Sequence, residues 1–258
     1  KQHPGSVRLN DKEALFYFPL KTGDLLEITL EEEQPSENII PVCLPLHIIY
    51  EDEDLMVIDK PADMPVHPSI GNYENTLANG IAWYFAEKGE DFVYRCINRL
   101  DRDTSGLTIV AKHAVSAAIL GQMVRAKAEQ GLKAPGIHRT YLALVEGKVV
   151  PVSGVIDAPI ARQEDRCLRR VVDFKRGDRA VTHYRVLTGW QTENAQKFRS
   201  LVKLQLETGR THQIRVHMAW IRHPIAGDPV YGIGKPELGL HSQCLHAKEL
   251  TFLHHGEL

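Results

Sequence analysis

The sequence predicts an α+β fold, a domain built on a mixed, largely antiparallel β-sheet with flanking helices. Three observations carry this expectation. Residues 140–145 and 198–206 alternate in character as half-buried strands do. The helical segments are few and fall among strands without a regular βαβ rhythm. A chain of 258 residues with 43% hydrophobic content is long and apolar enough to close a packed core.

The elements follow in order. Residues 7–30 read as short β segments: VRLN, then LFYF at 15–18, then a turn at 21–24 leading into LLEITL, where Leu26, Ile28 and Leu30 alternate. The next stretch, EEEQPSEN, is charged and turn-rich, a linker by composition. The main domain begins near Pro45. Residues 48–50 and 55–58 flank an acidic turn and are expected to pair, and Pro61, Pro65 and Pro68 force an irregular loop after them. Leu77, Ile81, Tyr84 and Phe85 recur at helical spacing, with Gly89 as the C-terminal cap. Residues 107–111 form a short apolar strand, and 114–124, rich in alanine and free of proline, a helix. On the strand at 140–145, Tyr141, Ala143 and Val145 share a face; on that at 198–206, Phe198, Ser200, Val202, Leu204 and Leu206 do. Thr208-Gly209-Arg210 then turns the chain, and Thr211 is placed to cap a helix over 212–220.

Composition bounds the function. No run of about 18 apolar residues occurs, so no membrane span is expected. Cys43, Cys96, Cys167 and Cys244 are widely spaced and form no C-x-x-C pair, which offers neither a zinc knuckle nor a disulfide framework. A reducing, cytoplasmic setting is the simpler expectation. The formal net charge of -2 conceals an uneven spread: residues 1–60 hold 5 Lys/Arg against 13 Asp/Glu, and residues 61–258 hold 26 against 20. Between 162 and 185 lie eight basic and four acidic residues, a density suited to phosphate contact, although most such clusters are ordinary solvated faces.

Chemistry is most concentrated in Asn98-Arg99-Leu100-Asp101-Arg102-Asp103-Thr104-Ser105-Gly106. A loop so rich in small and charged residues, beside a core strand, is suited to fixing one side chain. Thr104 and Ser105 can bond to backbone, Gly106 relieves steric limits, and Leu100 anchors the loop while Asp101 points outward beside Arg99 and Arg102. A capped turn with surface ion pairs is the bland alternative. In the second cluster, Thr208 to Met218, a helix puts His212, Arg215 and Ala219 on one face, and Arg215 is placed to pair with a buried carboxylate. A guanidinium so placed favours the ionised form and orients it for nucleophilic or basic work. His212 and His217 are five apart with no glutamate in the metal-binding position, so no metal site is expected. Tyr141, at the mouth of a strand, can stack on a base and exchange a proton, although most tyrosines so placed are core residues. No phosphate loop, dinucleotide fingerprint or nucleophile elbow is present, so no cofactor is required.

Taken together, these segments resemble the RluA-type pseudouridine synthases. NRLDRDTSG is similar to their H-R-L-D-x-x-T-S-G signature, and DKPADMPVHP at 59–68 to D-K-P-x-G-x-P-V-H-P. Arg139-Thr140-Tyr141 resembles the R-x-Y stretch, ETGRTHQIRVH at 207–217 the third motif, and HPIAGDPVYG and LHAKELTF the segments that follow. The resemblance runs from about residue 45 to 258. It implies Asp101 as the catalytic aspartate, Tyr141 as the active-site tyrosine and Arg215 as the arginine paired with the aspartate. Two positions depart from the pattern: Asn98 stands for histidine and Asp63 for glycine. An amide still forms hydrogen bonds but cannot titrate, so a local structural role survives at 98. Residues 7–30 resemble the second half of an S4 RNA-binding domain, whose first half would precede Lys1. The expected organisation is thus an S4-like segment at 1–34, a linker at 35–44 and a synthase domain at 45–258.

The implied reaction breaks the uracil N1 to ribose C1′ bond, turns the base and joins C5 to C1′, in structured RNA such as ribosomal or transfer RNA. Asp101 opens it at C1′ or C2′, Tyr141 stacks on the base and assists departure of the C5 proton, and Arg215 holds Asp101. Candidate substrate and RNA contacts are Arg99, Arg102, Thr104, His67, Arg166, Arg169, Arg170, Lys175, Arg210 and His212. A monomer is expected, since the site needs no second chain. Two alternatives stand beside this reading. One is an RNA-binding protein or chaperone that has lost catalysis on the same scaffold. The other is a carboxylate-based glycosidic hydrolase, which needs a second acid for which Asp103 is the neighbour in sequence.

Overall fold

The computed structural model describes residues 6–15, 17–29, 34–164, 169–192, 197–232, 240 and 242–254. Two compact units result, Lys1–Pro35 and Ser36–Leu258. In the first, β1 (Val7–Leu9) pairs antiparallel with both β2 (Lys12–Glu13) and β3 (Leu26–Ile28). Asn10 and Asp11, both at positive φ, make the two-residue turn between β1 and β2, as these residue types allow. Of the expected strand at 15–18, the described residues Leu15, Tyr17 and Phe18 take no strand conformation. Phe18 donates its amide to the Leu15 carbonyl at 3.0 Å in a turn that runs into Pro19, and Phe16 lies outside the described residues.

The second unit holds β4 (Ile48–Glu51), β5 (Leu55–Lys60), α1 (Leu77–Ala86), β6 (Arg95–Cys96), β7 (Ser105–Ala111), α2 (Ala114–Gln130), β8 (His138–Glu146), β9 (Ser153–Asp157), β10 (Ile160–Arg162), β11 (Arg170–Val172), β12 (Val181–Gln191), β13 (Phe198–Leu206), α3 (Gln213–Trp220) and β14 (Leu245–Thr251). Nine strands form one sheet in the order β4-β5-β7-β14-β8-β13-β12-β9, with β6 paired to β7. Among the described residues only β7 and β14 run parallel in it; the other pairings are antiparallel. Strands β10 and β11 form a separate hairpin. This is the mixed, mostly antiparallel α+β architecture. Among the described residues no helix is long and apolar enough to cross a membrane.

Sequence pattern explains the layering. The run Leu55-Met56-Val57-Ile58 buries both faces of β5: Met56 and Ile58 pack with Val110 against Leu77, Ile81 and Phe85 of α1, while Leu55 and Val57 pack with Ile109 against Leu120 of α2. Each such aliphatic side chain contributes about 1.5–3 kcal/mol by leaving water. In the other half of the sheet the buried side chains lie on one face of the strands. Tyr141, Ala143 and Val145 of β8 and Val202, Leu204 and Leu206 of β13 pack with Ile214 and Met218 of α3.

Three helix limits differ from the sequence expectation. Helix α1 ends at Ala86 with Glu87 as its cap, and Gly89, at φ +72, completes the turn by donating to the Ala86 carbonyl. Helix α2 continues past Val124 to Gln130, where Gly131 ends it. Thr211 does not cap α3. His212 occupies the cap position in the left-handed region without a side-chain bond, and the Gln213 side-chain Oε1 instead accepts from the Arg210 amide at 2.9 Å and the Thr208 hydroxyl at 2.8 Å. The helix therefore begins one residue later, with its entry turn held by Gln213.

Candidate active site

Asp101 lies in the loop between β6 and β7. Buried Leu100 fixes that loop to the core. Asn98, also buried, donates to the Leu107 carbonyl at 3.2 Å and accepts from the Ile109 amide at 2.8 Å. One amide group thus ties the loop to β7, and its donor and acceptor suffice without a titratable ring. The Thr104 amide returns to the Asp101 carbonyl at 3.1 Å. Among the described residues the hydroxyls of Thr104 and Ser105 have side-chain partners in place of the expected backbone ones. Thr104 accepts from Gln243 at 3.3 Å and Ser105 lies 3.0 Å from His246 Nδ1, because the parallel pairing of β7 with β14 brings those side chains alongside. Gly106 permits that approach: it has φ +110, and a Cβ there would lie 2.3 Å from the Ala247 carbonyl oxygen.

Under the loop, the fully buried Lys60 ammonium donates to the carbonyls of Pro61 at 2.6 Å and Arg102 at 2.9 Å. Burial pulls its pKa down to about 8, against the fields of Asp103, Asp101 and Asp63. The residue after Asp101 is therefore held from below. Asp63 adopts φ +58, a left-handed conformation that glycine enters freely and aspartate is among the few others to tolerate. Its carboxylate stands 3.1 Å from the Arg102 guanidinium, which also pairs with Asp103 at 3.2 Å.

A buried charge cluster closes the other side. Arg215, on the first turn of α3, bonds Asp228 through two nitrogens at 2.7 and 2.9 Å and donates a third bond to Asp101 Oδ2 at 3.0 Å. Burial opposes the guanidinium charge, but Asp228 and then Asp101 outweigh it and raise the Arg215 pKa. Burial likewise pushes the Asp228 carboxyl up, yet the Arg215 bonds and field and the amides of Val230 and Tyr231 bring it below its ordinary value. The His212 ring lies 3.9 Å from Asp101 Oδ2 and 2.9 Å from the Tyr231 hydroxyl. Burial lowers its pKa despite the nearby carboxylates, so at neutral pH the ring carries little charge. Tyr231 presents its face to Arg215, 5.2 Å from the guanidinium, and takes the Arg170 amide on its hydroxyl at 2.8 Å.

Asp101, Tyr141 and Arg215 line one cavity of 590 Å³. Tyr141, on β8, is 4% exposed; burial raises its pKa, while the Arg139 guanidinium beside it favours the phenolate. His67, Arg99, Arg102, Thr104, Arg210 and His212 line the same cavity. Thr104 is buried, His67 packs edge-on against Tyr94, and Arg99 and Arg210 are exposed at the rim. Arg170 lies in a neighbouring cavity, Arg169 is stacked on Tyr231 at 5.7 Å, and Lys175 is exposed in a turn capped by Asp173; neither of these two lines a described cavity. Arg166 lies outside the described residues. Asp103, the acid a hydrolase would need, faces a different depression from the one that holds Asp101. Among the described residues no group of three or more His, Cys, Asp or Glu side chains is placed to hold a metal ion.

Sequence reasoning missed Lys60, Asp228 and Tyr231 as parts of this site. A signal existed for Asp228: a guanidinium has five donors, so a buried arginine needs more acceptors than one partly exposed aspartate supplies. A sequence model of the RNA pseudouridylate synthase family matches residues 54–220. The Bacillus subtilis (strain 168) protein YjbO, called an uncharacterized RNA pseudouridine synthase, is 39% identical over 250 residues, covering 97% of this chain and 82% of the relative. Ribosomal large subunit pseudouridine synthase D of Zymomonas mobilis subsp. mobilis is 41% identical over 253 residues, with 92% and 74% covered. Among solved structures, human RNA pseudouridylate synthase domain containing 1 aligns with a TM-score of 0.62 at 25% identity, over 84% of this chain and 80% of that one.

Proposed function

Because the chain belongs to the RNA pseudouridylate synthase family, we propose that Asp101 carries its isomerisation of uridine to pseudouridine, and that the RNA is that of the large ribosomal subunit. The observation that carries this reading is the 3.0 Å bond from buried Arg215 to Asp101 on the wall of a cavity that also holds Tyr141. Both the arginine and the histidine approach Oδ2, and among the described residues no hydrogen bond engages Oδ1. That oxygen is left to meet the ribose, at C1′ as nucleophile or through the C2′ proton as base. The relative named for the large ribosomal subunit supports that RNA over transfer RNA. Extruding the uridine costs a few kcal/mol, least where the RNA is unpaired. Arg102, Arg169, Arg170 and Lys175 supply phosphate contacts that offset part of it.

Tyr141 is the stacking surface for the base. Burial keeps its phenol protonated, so it must first release that proton to solvent; Arg139 lowers the cost of the ionisation, and the phenolate so formed takes up the C5 proton and becomes phenol again. Tyr141→Phe is expected to keep RNA affinity and lose turnover by about a hundred-fold or more. Unchanged turnover would remove the proton-transfer role and leave stacking. The reading as a whole is tested by tritium release from C5-labelled uridine in ribosomal and transfer RNA transcripts. Release from the ribosomal transcript is expected; release from transfer RNA alone redirects the substrate, and none from either ends the proposal.

A further inference from the structure

We propose that Phe174 and Trp220 form a stacking platform for an unpaired RNA base that flanks the extruded uridine. The inference rests on the synthase reading for the identity of its ligand. The two ring centroids are 6.3 Å apart with planes at 56°, and the residues are 68% and 50% exposed. Rings so disposed make an open corner, which takes a flat group against one face with its edge toward the other ring.

Local structure holds both rings out to water. Val172 and Ala219 pack against the cluster of Ile160, Ala180, Val216 and Tyr231, and the two aromatic residues follow them in the chain. Phe174 sits in a tightly bonded turn. The Asp173 amide donates to the Pro159 carbonyl at 2.9 Å, and the Asp173 carboxylate accepts the amides of Lys175 at 2.9 Å and Arg176 at 3.1 Å. The Gly177 amide closes the turn on the Asp173 carbonyl at 2.9 Å, and a side chain on Gly177 would strike that same carbonyl. Trp220 is the last residue of α3. Rings fixed in water give the fold little apolar burial, but for a ligand they remove part of the ordering cost of binding.

The corner lies close to the catalytic cavity. The Arg170 amide, at the start of β11, meets the Tyr231 hydroxyl, whose ring faces Arg215. Four residues on, Phe174 meets Trp220, five residues beyond Arg215 on α3. That is about 7.5 Å along the helix at 1.5 Å per residue. Arg176, in the same turn as Phe174, lines a second cavity of 440 Å³ that shares Arg99 and Arg210 with the cavity of Asp101. An RNA strand with its uridine beside Asp101 thus has a neighbouring base within reach of the corner. The rim favours a base over an apolar protein surface. Lys175 and Arg222, each within two residues of a ring, are exposed, while Arg176 is already paired with Asp173 and Glu164. Rings within a cationic rim match a base carried on phosphates. At about 150–250 Å² each, two rings also fall short of the roughly 1,000 Å² that a stable protein interface needs.

The test follows binding of a short fluorescein-labelled RNA with one central uridine to the full chain, by anisotropy over a range of salt concentrations. Phe174→Ala/Trp220→Ala is expected to weaken binding about ten-fold and to leave the slope of log affinity against log salt at its parental value, since loss of stacking removes no charge. Phe174→Tyr/Trp220→Phe keeps two rings and is expected to bind as the parent does, which guards against a folding defect in the alanine pair. Trp190→Ala removes a 43% exposed indole at the end of β12 remote from Thr182, where that strand meets His217 of α3, and is expected to change nothing. Abasic replacement of the flanking nucleotides, one at a time, is expected to find one base worth about ten-fold to the parent and nothing to the alanine pair. Parental affinity or a flattened slope in the alanine pair overturns the platform. So does an equal loss in the ring-retaining pair or in Trp190→Ala, or abasic costs that are the same in parent and alanine pair. Absence of tritium release by the parent protein, with the binding pattern as expected, removes the catalytic reading and leaves the platform standing.

Discussion

Asp101→Asn is expected to lower tritium release from C5-labelled RNA by about ten-thousand-fold or more, while RNA affinity and melting temperature stay near those of the parent. The substitution is nearly isosteric and spares the loop, whose hold depends on Leu100, Asn98, Thr104 and Lys60. An amide carbonyl can still accept a bond from Arg215, so the geometry survives; what is lost is the anionic oxygen that attacks or deprotonates the ribose. The side chain is 24% exposed, so its charge is only partly desolvated and its removal affects stability little. Turnover close to the parental rate would move the chemistry to another residue. A large fall in melting temperature would instead identify Asp101 as a structural acceptor for Arg215.

Arg215→Met is expected to be the most damaging single change, because it acts on stability and turnover together. The Asp228 side chain is fully buried, and without Arg215 its carboxylate keeps, among the described residues, the amides of Val230 and Tyr231. Breaking such a pair costs about 3–5 kcal/mol, a fall of roughly 10 °C in melting temperature for a chain of this length. Arg215→Met/Asp228→Leu removes both charges and is expected to recover most of that stability, since apolar residues can replace a buried pair at little net cost. Turnover is expected to stay lost, because Asp101 no longer has the group that orients it. Recovery of turnover in the double variant would show that the arginine acts only as part of the core. The pair also has a pH signature. The Asp228 pKa is depressed in the folded protein, so its contribution is complete above the unfolded value of about 3.9 and is lost as acid takes the pH down through the folded value. The double variant is expected to lack that acid-side loss in its melting profile.

Much of this was legible from residue order. Alternation located β8 and β13, and Phe198–Leu206 emerged with the limits its pattern predicted, because a strand with one buried face writes its period directly into the sequence. The limits of α3 were harder to read. Its entry is governed by Gln213 bonding to Thr208 and Arg210, a local device that resembles no standard cap. Long-range partners were illegible for a different reason. Nothing near Asp228 announces that Arg215 will reach it with two bonds, nor does Lys60 reveal that it will hold the carbonyl of Arg102. The two departures from the family pattern acquired reasons only in three dimensions. Asn98 makes both of its bonds as an amide, and Asp63 tolerates a conformation suited to glycine while adding a carboxylate beside Arg102.

The placement of β14 between β7 and β8 sets a schedule for the newborn chain. Ser105 and His246 meet across 141 residues of sequence, so the strand behind the Asp101 loop waits for a neighbour that leaves the ribosome much later. At about 5–20 residues per second that interval is roughly seven to thirty seconds. Throughout it β7 has one open flank, and Thr104 and Ser105 have yet to meet Gln243 and His246. Translation must therefore run far past the aspartate before its surroundings close.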